Sequence, residues 1–116
     1  MRGDEARVIE AFCAWLQSQG WSTECEVKFV DVLARRAGVT MYAEAKGRTA
    51  ALGLDVDTLY GQLLRRMPIE DATDTVFAVV VPDEAVQAAV RVPARVRQAL
   101  RIAVYAVSTG GTVREV

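Results

Sequence analysis

The sequence of 116 residues contains no histidine, and that absence removes whole classes of chemistry. Ser-His-Asp and Cys-His catalysis, and every hydrolase that activates water with imidazole, need the ring. Cysteine is nearly absent too. Cys13 and Cys25 lack CxxC spacing, and without histidine to complete a set they exclude the usual Cys/His zinc sites. Both are expected to stay reduced, in or near the core, as small hydrophobes. Aromatic residues amount to only 7%, which disfavours a sequence-specific single-strand binder built on base stacking. No apolar run approaches the length of a membrane span, and the charged start Met1–Arg7 does not read as a signal peptide. The expectation is a cytoplasmic protein with no membrane partner. Charge of one sign is lacking as well: 14 basic and 15 acidic residues leave a net −1. Any contact with nucleic acid must therefore come from a local cluster of charge.

What is present is the composition of a compact globule, 52% hydrophobic and 25% charged, in a chain long enough for one core and too short for two. Residues 1–116 are read as a single domain. Asp4–Gln19 carries Val8, Phe12, Trp15 and Leu16 at helical spacing, opened by Asp4 or Gly3 and stopped by Gly20. Trp21–Val27, Phe29–Arg35 and Val39–Ala45 read as three strands joined by short connections, hence an antiparallel meander. Gly47–Gly53 is a loop. Asp55 or Asp57 caps a helix to about Met67, with Val56, Leu59, Tyr60, Leu63 and Leu64 as its apolar stripe, and Pro68 ends it. Thr75–Val81 is an apolar run of the kind buried on both faces. A short helix is expected from Asp83, another from Pro93 to about Leu100, then a strand over Arg101–Val107 and a turn at Gly110-Gly111. The order αβββαβαβ describes an α/β fold, a mixed sheet flanked by helices.

The chemistry concentrates in Val30-Asp31-Val32 and Tyr42-Ala43-Glu44-Ala45-Lys46. Neighbouring strands bring Asp31 and Glu44 to one end of the sheet, while Glu44 and Lys46, two apart, share a strand face. Two carboxylates and a backbone carbonyl are the hard oxygen ligands that Mg²⁺ accepts while keeping several waters. The lysine ammonium is then placed to orient a water or offset phosphoryl charge. A Glu-x-Lys pair on a strand is commonly a solvated surface pair. Asp31 argues otherwise, because a lone carboxylate inside Phe-Val-Asp-Val-Leu is costly unless it is paired or binds metal.

The run Val30-Asp31…Glu44-Ala45-Lys46 resembles the motif of the PD-(D/E)xK nuclease superfamily, to which restriction endonucleases, Holliday junction resolvases and Mrr-like enzymes belong. Val30 stands where the motif's proline would be. The opening helix, carrying Glu10 and ending in Gly20-Trp21, is similar to the first helix–strand unit of resolvase-like members, and Gln62 resembles a glutamine that many members place beside the active site. The element order over roughly residues 4–81 is similar to the family's αβββαβ core. The resemblance implies a three-layer restriction-endonuclease-like fold and a nuclease dependent on Mg²⁺ or Mn²⁺. Asp31, Glu44 and the Ala45 carbonyl would hold the metal, Lys46 would position or activate water, and Glu10 and Gln62 would assist. A surface glutamate is the plainer reading of Glu10.

For nucleic acid, DNA ahead of RNA, the basic candidates are Arg35-Arg36 at a turn, Arg48 just past the motif, and Arg65-Arg66 at a helix end. The arginine fork suits phosphate, although Arg65 and Arg66 also answer the helix dipole. Arg91, Arg95, Arg97 and Arg101 form a second basic set. Two functions stand against each other: a nuclease, endonuclease before exonuclease, and a catalytically silent module of the same fold that binds a protein or nucleic-acid partner. Small cores of this kind often need a partner to form a groove, and the apolar excess is compatible with a homodimer.

Overall fold

The fold is that of a computed structural model, which describes residues 3–27, 30–68 and 74–116. Helix α1 (Gly3–Ser18) leads into strands β1 (Ser22–Val27), β2 (Val30–Arg36) and β3 (Val39–Ala45). Helix α2 (Leu52–Arg66) crosses to β4 (Thr75–Pro82). A 3₁₀ turn (Asp83–Ala85) and two short helices, α3 (Val86–Ala89) and α4 (Ala94–Ala99), then precede β5 (Ile102–Val107) and β6 (Val113–Glu115). The six strands form one mixed sheet in sequence order. β1, β2 and β3 are antiparallel neighbours, β3, β4 and β5 run parallel, and β6 turns back along β5. The expected start of β2 at Phe29 lies outside the described residues.

Alternation along the central strands explains the layers. On β4, Ala78 and Val80 join Val8, Ile9, Phe12 and Leu16 of α1 in one core. Phe77, Val79 and Val81 point the other way, against Val56, Leu59, Tyr60 and Leu63 of α2 and Ala85 and Ala89 beyond. A strand covered on both faces is apolar along its covered stretch, as β4 is from Val76 to Pro82 after the buried Thr75. Short connections are fixed by backbone that side chains resist. Gly20 (φ +93°) closes α1, with the Trp21 N–H donating to Leu16 O at 3.0 Å. Ala37 (φ 51°) and Gly38 (φ 84°) make the left-handed pair that a tight β2–β3 hairpin requires.

Two features depart from the sequence reading. Helix α2 begins at Leu52, before Asp55, because Ala51 opens it without a side-chain cap and Asp55 instead accepts a hydrogen bond from the Thr49 hydroxyl. The tail after Gly111 is a sixth strand, with Val113 buried against the α1 core. Among the described residues, no helix is long and apolar enough to cross a membrane.

Candidate active site

Strand pairing dictates how Asp31 and Glu44 meet. The β2–β3 ladder pairs Leu33 with Tyr42 and Val32 with Ala43, so one step further sets Asp31 opposite Glu44. At that step the backbone ladder gives way to a side chain: the Ala45 N–H donates to Asp31 Oδ2 at 2.8 Å. On β3 the odd positions Met41, Ala43 and Ala45 belong to the α1 core, whereas Tyr42 packs toward α2. Glu44, in phase with Tyr42, therefore opens to the α2 side of the sheet. Lys46 follows two residues on, its backbone N–H bonded to Val80 O at 3.0 Å.

Asp31, Glu44, Ala45, Lys46 and Gln62 line one cleft of about 400 Å³, and Glu5 and Arg66 complete its wall. Glu44 is only 4% exposed. Burial foremost, then the hydrogen bond and the charge of Asp31, push its carboxyl up to about 8. The Arg66 guanidinium, with Nε 3.8 Å from Glu44 Oε1, pulls in the opposite direction without cancelling these effects. A hydrogen bond between two carboxyl groups needs one of them protonated, so near neutral pH the pair holds a proton that a cation could replace. Lys46 Nζ lies 4.0 Å from Glu5 Oε1. A larger, mainly apolar hollow of about 520 Å³ sits at the opposite end of the parallel strands, among Trp21, Met41, Phe77 and Ile102; it lacks the carboxylate pair.

The remaining expected site residues fall in different places. Glu10 is exposed and does not line the cleft. The carboxylate that α1 does send there is Glu5, 7% exposed. A signal for it existed, since Glu5 is in helical phase with Val8, Ile9, Phe12 and Leu16 whereas Glu10 is out of phase. The first turn of α1 is seated by close packing: a Cβ on Gly47 would lie closer than 3.0 Å to the backbone N and Cα of Glu5 and to the carbonyl carbon of Asp4. Asp4 also accepts the Arg48 N–H and pairs with Arg7 (2.9 Å), and these bonds hold its carboxyl below the usual range.

Arg35 and Arg36 end β2 at the hairpin, four and five residues from Asp31, or about 13–17 Å along the strand. Arg35 faces Glu24 at 3.7 Å; Arg36 donates to Gln19 O at 2.7 Å and stacks 4.6 Å over Trp21. Neither reaches the cleft. Arg48, two residues past Lys46, does not line the cleft; it is exposed, with Nη1 3.4 Å from Glu84 Oε2. Arg65 is exposed on α2, while its neighbour Arg66, one turn after Gln62, is the arginine that enters the cleft.

No protein-family model and no curated protein sequence matches the chain. Solved structures do. An XisH family protein from Nostoc punctiforme superposes with a TM-score of 0.61 at 17% identity, covering 95% of this chain and 98% of the other. An FdxN element excision controlling factor protein from Anabaena variabilis gives 0.64 at 17% identity, covering 94% and 96%. At that identity the likeness is one of fold: the mixed α/β architecture, over nearly the whole of each chain.

Proposed function

We propose that this chain is a divalent-metal-dependent nuclease of the PD-(D/E)xK type, with a restriction-endonuclease-like core, hydrolysing phosphodiester bonds in nucleic acid. The observation that carries the reading is convergence: Asp31 from β2, Glu44 and Lys46 from the end of β3, and Gln62 from α2 open onto one polar cleft. The name of one fold neighbour, an excision controlling factor for the FdxN element, is one reason for placing DNA ahead of RNA, and an internal cut ahead of trimming from an end.

The donor set fits a hard divalent cation. Among the described residues no three His, Cys, Asp or Glu side chains group as a ligand set, so the candidates are two carboxylates and a carbonyl. Mg²⁺ tolerates that because it keeps several waters. A strand residue's N–H and C=O point to the same side, so the Ala45 carbonyl faces the β2 side, where its N–H meets Asp31. When bound, Mg²⁺ or Mn²⁺ supplies Lewis-acid stabilisation of phosphoryl charge and a more acidic water. The chain's own residues do the rest. Asp31 and Glu44 give up their shared proton and present oxygens, Lys46 offers its ammonium to the water or the phosphoryl oxygens, and Glu5 keeps that ammonium turned inward. Gln62 is placed to hydrogen-bond the water or the phosphate, and Arg66 and Arg48 flank the path of the strand.

The test is a cleavage panel of linear, single-stranded and branched DNA and RNA with Mg²⁺ and Mn²⁺. Cleavage that disappears in Glu44→Ala and Lys46→Ala, with melting curves intact, supports the nuclease. Cleavage that persists unchanged in both variants defeats it. The lack of a three-acid group among the described residues favours a second reading, a catalytically silent module that binds a protein or nucleic-acid partner. Absence of both cleavage and any rise in melting temperature with Mg²⁺ or Mn²⁺ would select that reading.

A further inference from the structure

Helix α1 lies along the edge strand β1 through two matched side-chain contacts. Gln17 Nε2 donates to Thr23 Oγ1 at 2.8 Å, and one helical turn earlier Cys13 Sγ lies 3.1 Å from Cys25 Sγ. Cys13 and Gln17 are four apart on the helix, and Cys25 and Thr23 are two apart on the strand, so each pair shares one face. The facing of the two sulfurs is thus set by the packing of two regular elements, and the Gln17–Thr23 bond independently holds the same alignment. Both thiols are free. They stand about 1 Å from bonding distance. Cys13 is buried and Cys25 is exposed, which supplies one sulfur open to solvent and one screened sulfur directly behind it.

We infer that Cys13 and Cys25 form a reversible disulfide site that clamps α1 to the sheet edge when the protein meets a small-molecule disulfide oxidant. The exposed Cys25 thiol attacks the oxidant RSSR, forming a Cys25–SR mixed disulfide and releasing RSH with the proton. Cys13 then attacks the Cys25 sulfur, closing Cys13–Cys25 and releasing the second RSH. Two protein thiols are oxidised by two electrons, and one small disulfide is reduced to two thiols. Burial above all, together with Cys25's hydrogen bond and charge, holds the Cys13 thiol up at about 12, so Cys25 is the entry point and Cys13 the resolving partner. Proximity offsets the poor ionisation of Cys13 in the second step. The clamp constrains a short loop of the unfolded chain and stabilises accordingly.

The experiment treats the reduced full chain with glutathione disulfide and follows intact mass, free thiols and melting temperature. Expected are loss of two hydrogens, no alkylatable thiol, and a rise in melting temperature of about 5–10 °C that dithiothreitol reverses. Cys13→Ser should stop at the glutathione adduct of Cys25, and Cys25→Ser should not react; the melting curves of both reduced variants establish that they fold. A wild-type chain that halts at the glutathione adduct, joins into covalent dimers, or shows no rise in melting temperature when oxidised overturns the inference. None of these readouts involves the cleft, so the outcome stands apart from that of the cleavage test.

Discussion

Gly47→Ala tests how the cleft is held together, because the position tolerates no Cβ for a reason that can be stated atom by atom. The glycine is buried directly after Lys46. A methyl group there would lie within 3.0 Å of three atoms of α1, all of them backbone, so no side chain can swing aside. Gly47 does not adopt a left-handed conformation, which leaves the backbone preference of alanine out of the cost. Overpacking of this kind costs about 1–3 kcal/mol, and contact with backbone alone places Gly47→Ala toward the upper end, about 2–3. For 116 residues the entropy of unfolding is about 0.24 kcal/mol per degree, so the melting temperature should fall by about 8–12 °C. Gly61→Ala is the matched control: it sits inside α2 with nothing within 4 Å of its would-be Cβ. There the gain in helix propensity is about 0.5–1 kcal/mol, a rise of about 2–4 °C. Thermal unfolding followed by circular dichroism reads both. If Gly47→Ala melts with the wild type, or if the two variants shift in the same direction, the close seating of α1 on the end of β3 is wrong.

Glu44 should make the metal-free protein lose stability as pH rises. Its carboxyl is held at about 8 against an ordinary 4.5, so the folded state binds this proton more tightly than the unfolded state; the contribution is complete below about pH 4.5 and is lost as pH climbs through 8, on the order of a few kcal/mol. Urea titrations of wild type and Glu44→Gln between pH 5 and 9 should diverge in slope, and parallel profiles would show that the carboxyl is not so held. At Asp31 the hydrogen bond and the charge can be separated: Asp31→Asn keeps an acceptor for the Ala45 N–H, whereas Asp31→Ala leaves that donor unpaired at a cost of about 1–3 kcal/mol. Equal urea midpoints for the two variants would remove the structural role assigned to that bond.

Much of this architecture is legible in the sequence, and the illegible parts share a cause. β3 and β4 are readable because each is bounded by punctuation, Gly38 and Gly47 for one and Pro82 for the other, and because burial on two faces makes Val76–Val81 of β4 an unbroken apolar run. Asp31, Glu44, Lys46 and Gln62 come together because strand adjacency and helix order follow from short connections. Where local chemistry and tertiary packing disagree, the local reading fails. Helix α2 starts without a capping side chain, so no residue marks its beginning. β6 is three residues long and exists because Val113 completes the core beneath α1. The arginines at the hairpin look like neighbours of the motif in sequence, yet a strand's length separates them from it.

Glu5 and Arg66 show what an acidic cleft requires around it. Glu44 and Asp31 cannot both be ionised cheaply in a buried position, and the fold answers with charges drawn from both helical layers. Arg66 approaches Glu44 from the α2 side, and Glu5 approaches Lys46 from the α1 side. Each helix therefore contributes the charge opposite to that of the strand residue it meets. This sets Glu5 apart from a surface glutamate: with its helix pinned against Gly47 and Arg48, the carboxylate is fixed to the same backbone segment that carries Lys46. The two ion pairs differ in what a cation would do to them. A cation held by the carboxylates would compete with Arg66 for Glu44, whereas Glu5 pairs with Lys46. Of the two helices, α2 is thus the one whose ion pair uses a carboxylate of the proposed metal site, while α1 pairs with the lysine.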